Sequence, residues 1–145
     1  MANSYNTQVL RDGPRNFVVR VTGEIQGVAS TGGTDIAPTA LTSVATMNPP
    51  CTGLRVDRVK FSVAQGNPVD VQLYWNATTP ELFYGAGGGD DGDFWNFGGL
   101  TNNASPGATG DILFGTSGAA ACTTATLYTF AVIVECVKLG TKLPL

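Results

Sequence analysis

The acidic, glycine-rich segment Gly87-Gly-Gly89-Asp-Asp-Gly92 offers the most suggestive spacing in the chain. It fits GxGxxG, whose glycines let a backbone wrap pyrophosphate at the start of a helix. Here two aspartates occupy the phosphate position and Phe94-Trp-Asn-Phe97 follows as an expected strand, so phosphate binding is rejected. Asp90, Asp91 and Asp93 are hard oxygen ligands of the kind calcium takes, yet no glycine or bidentate glutamate stands where an EF-hand needs it. A solvated acidic hairpin is the plainer reading, with a calcium-dependent module as its rival.

Other chemistries fail on supply. The chain has no histidine, which removes Ser-His-Asp and Cys-His devices, HExxH zinc sites and imidazole proton shuttles. Glu24, Glu81 and Glu135 are the only glutamates, and no spacing nominates a carboxylate pair for glycoside hydrolysis. Gly115-Thr-Ser117-Gly approaches a nucleophile elbow, but its second glycine arrives one residue early and the base is missing. Cysteines at 51, 122 and 136 are odd in number and form no CxxC pair, so no disulfide framework is expected. Cys136, inside the apolar run Phe130–Val137, should pack as a small hydrophobe. The expectation is a protein without enzymatic activity or cofactor.

Binding chemistry has better material. Tyr74-Trp75 and Phe94-Trp95-Asn-Phe97 are aromatic clusters suited either to a core or to a platform against a sugar ring or a partner surface. If the second cluster is a strand, Phe94 and Asn96 point opposite to Trp95 and Phe97, so only one set enters the core. Only three lysines and five arginines are present and the net charge is -3, so no phosphate-tracking stripe is available and nucleic acid is not an expected partner.

These residues need elements to position them. At 145 residues and 43% hydrophobic, the chain is expected to form one folded domain, residues 1–145, although only 13% is charged against roughly 25% for an average domain. Its surface must be largely Thr, Asn, Ser and Gly. Two-residue alternation marks strands at Phe17, Val19, Val21 and Ile25, and again at Val69, Val71, Leu73 and Trp75. Leu54 and Val56 have even parity whereas Val59, Phe61 and Val63 are odd, which predicts a β-bulge near Asp57-Arg58. Thr126 to Leu139 is apolar on both parities, so its outer face should be covered by a loop, an arm or another subunit.

Shorter strands are expected at Tyr5 to Leu10, Glu81 to Tyr84, Phe94 to Phe97 and Asp111 to Gly115, giving about eight. Pro38 suits the opening of a helical turn over Thr39 to Val44. With turns such as Gly32-Gly33 and Gly66-Asn-Pro68, the pattern spells an all-β fold, a β-sandwich or jelly roll. Residues 1–12 are expected as an N-terminal arm or edge strand and 140–145 as a C-terminal tail. The first eight residues lack the basic start and apolar stretch of a signal peptide, and Leu127 to Val137 is too short for a membrane helix, so no membrane is expected.

Four blocks extend this reading. Thr7–Gly23, Leu73–Pro80, Phe94–Asn103 and Phe130–Lys138 resemble virion structural proteins of tailed bacteriophages, and among them the small capsid decoration, or cement, proteins. The likeness keeps the order of the blocks across nearly the whole chain. It implies a small β-sandwich or jelly-roll subunit, made in the host cytoplasm and assembled as a dimer or trimer on the outer surface of the head. Its partners would be the major capsid protein and itself. Candidate interface residues are Tyr5, Arg11 and Arg15 in or beside the N-terminal arm, Leu143 in the tail, and Tyr74, Phe94, Trp95 and Phe97 in the aromatic clusters. A carbohydrate- or receptor-binding β-module of a tail or fibre is the alternative.

Overall fold

Alternation of apolar and polar residues resolves into two antiparallel sheets in the computed structural model, which describes residues 3–63, 67–86 and 91–141. Nine strands run through these residues: β1 Ser4–Asp12, β2 Asn16–Gln26, β3 Thr39–Ala40, β4 Gly53–Val63, β5 Asp70–Trp75, β6 Glu81–Ala86, β7 Gly92–Asp93, β8 Ile112–Ser117 and β9 Leu127–Leu139. One sheet has the order β1-β2-β9-β4-β7 and the other β3-β8-β5-β6. Their buried faces share one core in a β-sandwich-like, all-β architecture.

Register makes that core. Val134 of β9 lies opposite Val19 on one side and Val59 on the other, while Cys136 lies between Phe17 and Val56. All of these are buried, and they meet Val71, Leu73, Trp75, Ile112 and Phe114 of the second sheet. The bulge stands where the parity switch predicts it: the register of β4 against β9 slips between Val56 and Arg58. One extra residue, Asp57, lets Leu54 and Val56 face inward and still returns Val59 to the core.

The middle of the outer face of β9 is partly shielded within its own sheet. Ile133 lies between Arg20 and Lys60, and Val137 is flanked by Arg55, so alkyl stems of long side chains lie beside the apolar ones. Leu127 and Leu139, at the two ends of this face, stay 43% and 38% exposed.

Two expectations are corrected. The segment after Pro38 forms the two-residue β3, followed by a 3-10 turn at Val44–Thr46, and no helical turn covers Thr39 to Val44. Thr39 and Ala40 pair with Phe114 and Leu113, and Asp111 Oδ1 accepts from the Val44 N–H at 2.7 Å and Thr42 Oγ1 at 3.1 Å. These tertiary bonds outweigh local helix preference. Phe94 to Phe97 is likewise a 3-10 turn rather than a strand. Of the two alternatives for the N-terminal segment, residues 4–12 take the edge strand, paired along β2, and the tail residues 142–145 with Leu143 lie outside the described residues.

One end of the molecule is tied by a buried cation. Lys138, whose side chain has no accessible surface, donates to Asp12 Oδ1 at 2.6 Å and to the Pro49 carbonyl at 2.9 Å. Asp12 Oδ2 also accepts from the Asn48 N–H. Asp12→Ala leaves the ammonium without its counter-charge and is expected to cost about 3 kcal/mol in denaturant unfolding, with Asp12→Ala/Lys138→Met recovering most of it. Val132, fully buried at mid-strand in β9, should not tolerate Asp: Val132→Asp is expected to yield no cooperative unfolding transition by circular dichroism.

Candidate functional site

The side chains left over by the core gather at the β7 edge of the five-stranded sheet. β7 contributes two residues, Asp93 opposite Arg58 and Gly92 opposite Val59. A Cβ at Gly92 would meet the Phe94 ring at 2.6 Å and the Tyr84 ring at 2.9 Å, so only glycine lets those rings close over the backbone. Phe94 packs edge-on to Tyr84 with centroids 5.8 Å apart and is half-buried. The chain then turns through the 3-10 segment Trp95–Phe97, which ends on Gly98 in the left-handed region at φ 84°.

Both flanks of this turn are fixed. The Phe94 N–H donates to the Asp57 carbonyl, and Leu100 and Val56 exchange both backbone bonds. The turn can therefore turn no aromatic inward except Phe94. Trp95 is left 56% exposed and Phe97 83% exposed. Next to it, Leu82, Phe83, Gly99, Leu100, Thr101 and Asn103 line a groove of about 440 Å³ whose floor includes Trp75. Trp75 itself stacks on Phe83 at 4.1 Å in the core.

A fixed turn carrying two exposed aromatics beside a groove of mixed lining can exclude water from a partner surface without ordering much of itself on binding. It holds no acid, base or nucleophile arranged for turnover. Leu82, 51% exposed, was not visible as a surface residue in the sequence: it follows the slip in register between Leu73 and Tyr74 that offsets β6.

The acidic residues are otherwise engaged. Asp91 Oδ1 accepts from the Phe61 N–H at 3.1 Å, and Asp93 faces Arg58 at 3.6 Å. Asp90 lies outside the described residues. Among the described residues no group of three or more His, Cys, Asp or Glu is placed to hold a metal ion.

The cysteines are all free and buried. Burial pushes the thiols of Cys51, Cys122 and Cys136 upward, Cys136 furthest, which keeps them protonated and poorly nucleophilic.

The remaining candidates are scattered. Tyr5 lies at the opposite edge, on β1, its ring edge-on to Phe114 at 5.0 Å. Arg11 and Arg15 are exposed at the far end of β1 and in the turn after it. Tyr74 is half-buried on the second sheet, where its hydroxyl bonds Gln72, and burial followed by the charge of Asp35 raises its pKa. Of the candidates, only Phe94, Trp95 and Phe97 are brought together.

Compared with protein-family models, curated proteins and solved structures, the chain matches none of them. Within the turn the rings should separate by role: Phe94→Ala is expected to cost about 2 kcal/mol in unfolding free energy, whereas Trp95→Ala should shift it by less than about 0.5 kcal/mol.

Proposed function

We propose that this chain is a non-enzymatic decoration, or cement, protein of a tailed bacteriophage. It sits on the outer surface of the head, having been made in the host cytoplasm, and bridges neighbouring subunits of the major capsid protein. The observation that carries the reading is the pair of exposed aromatics, Trp95 and Phe97, held on a fixed turn at a sheet edge. Such residues contribute binding energy out of proportion to their number when a partner closes over them.

The strand order supports it. After β1, the eight strands distribute as β2-β9-β4-β7 and β3-β8-β5-β6, the interleaving of a jelly roll, an architecture used by viral capsid and lectin domains. The resemblance of the four sequence blocks to phage virion proteins points the same way. Cementing needs contact and no reaction. Packaged DNA pushes shell subunits apart, and a clip across their boundary raises the barrier to separation. A stable interface buries about 1,200–2,000 Å² in total, and repetition over a symmetric shell lets weaker individual contacts suffice through avidity.

A second reading, a carbohydrate-binding module of a tail or fibre, is favoured by the exposed indole of Trp95 beside a groove lined by Thr101 and Asn103. Undecorated heads of the phage that carries the gene separate the two. The protein is expected to co-sediment with them and raise their resistance to heat, and Trp95→Ala/Phe97→Ala should weaken binding at least about thirtyfold with the melting temperature unchanged. Heads that neither bind it nor gain robustness would overturn the capsid reading, and saturable glycan-array binding lost in the same variant would establish the other.

A further inference from the structure

Sheet edges differ sharply in this molecule. β7 and β3 are two residues long and β6 six, whereas β1 presents nine residues along an open edge, every one of them exposed. Edges of this length are normally guarded by lysine, proline or burial, since their free N–H and C=O groups are templates for another strand. Between Ser4 and Leu10 there is no charge and no proline. Tyr5, Val9 and Leu10 are instead large, apolar and 47%, 55% and 45% exposed.

The inward face of β1 is open because the second sheet stops short of it. Tyr5, Thr7 and Val9 pair with Gly23, Val21 and Val19 and so point toward the core side, where Tyr5 meets Phe114 of β8 and Val9 borders the short β3. A cleft of about 320 Å³ remains there, lined by Val9, Phe17, Ala40, Leu41, Thr46 and Met47 among others. Both ends of β1 are meanwhile pinned. Asn3 accepts from the Gln26 N–H and donates to the Thr34 carbonyl, and Asp12 holds Lys138 and Asn48. The regular stretch Ser4–Val9 is thus held extended and ready to pair, up to the bulge at Leu10.

We propose that β1 pairs antiparallel with β1 of a second copy across a two-fold axis near Gln8, joining the two five-stranded sheets into one of ten strands. Charge selects this occupant. Arg11 and Asp12 are the only charges on β1 and sit at one end, so the two-fold places each pair a strand's length from its mate instead of against it. It also brings Arg11, which shares the outer face with Val18, toward the end where Ser4 bonds Glu24, giving the cation the partner's Glu24 to approach. An isologous contact of this kind closes at two copies. The dimer then carries Trp95 and Phe97 at both far ends, as a two-ended clip. What those ends grip rests on the proposed function; the pairing does not.

Sedimentation equilibrium tests the pairing directly. The wild type is expected at the mass of two chains, and Val9→Lys/Leu10→Lys at the mass of one with an unchanged far-UV spectrum. A wild type that stays monomeric at every concentration, a mass of three chains, or a double variant that remains dimeric would overturn the proposal. Should the double variant fold poorly, Gln8→Cys gives a second readout, because the native thiols are buried. Oxidation should then link two chains covalently, and a dimer that forms without that link uses another surface. Loss of head binding with the dimer intact counts against the capsid reading alone.

Discussion

Strand β9 lies between β2 and β4, and its inward row of Phe130, Val132, Val134 and Cys136 is packed by side chains of both neighbours before it meets the second sheet. A side chain in that row keeps its place only if the flanking strands hold the same parity, since a one-residue slip turns every apolar group outward. The extra residue at Asp57 preserves that parity along β4. It also turns the Asp57 carbonyl to the Phe94 N–H, so the device that phases the core also seats the aromatic turn. Correct phasing of one central strand thereby reaches the contact surface at the sheet's edge.

Much of this was legible in the residues because long strands advertise themselves. β2 and β5 follow period-two patterns, β9 is a long run apolar on both parities, and the parity switch between Val56 and Val59 located the bulge to within a residue. What could not be read depends on partners distant in the chain. β3 and β7 are two residues each and exist because β8 and β4 accept them. Asp35 binds Thr116 Oγ1 and the Ala119 N–H, and Asp111 binds Thr42 and Val44, yet nothing local distinguishes them from solvated aspartates. Phe94 to Phe97 has strand composition, but Gly92 and Gly98 on either side set its path. The division of labour among its rings, one inward and two outward, survived the change of conformation.

Charge is distributed as unevenly as grease. No lysine or arginine occurs between Lys60 and Lys138, so the strands of the second sheet carry no cation. Arg11, Arg20, Arg55, Arg58 and Lys60 instead belong to β1, β2 and β4 of the first sheet, where Arg55 and Arg58 are matched by Asp57, Asp93 and Glu135. In the proposed role, contact at the Trp95–Phe97 edge would draw on removal of apolar surface from water, a force that salt screens little.

The central place of β9 also governs the order of events in folding. It is the last of the nine strands to be synthesised, yet β2 and β4 have no mutual pairing and meet only through it. Until it emerges, the first half of the chain can form the β1–β2 hairpin but cannot assemble the five-stranded sheet. Closure across more than a hundred residues makes the search for the native state slow and largely post-translational. A chain cut short before Leu127 lacks the strand that joins β2 to β4 and so cannot complete the five-stranded sheet.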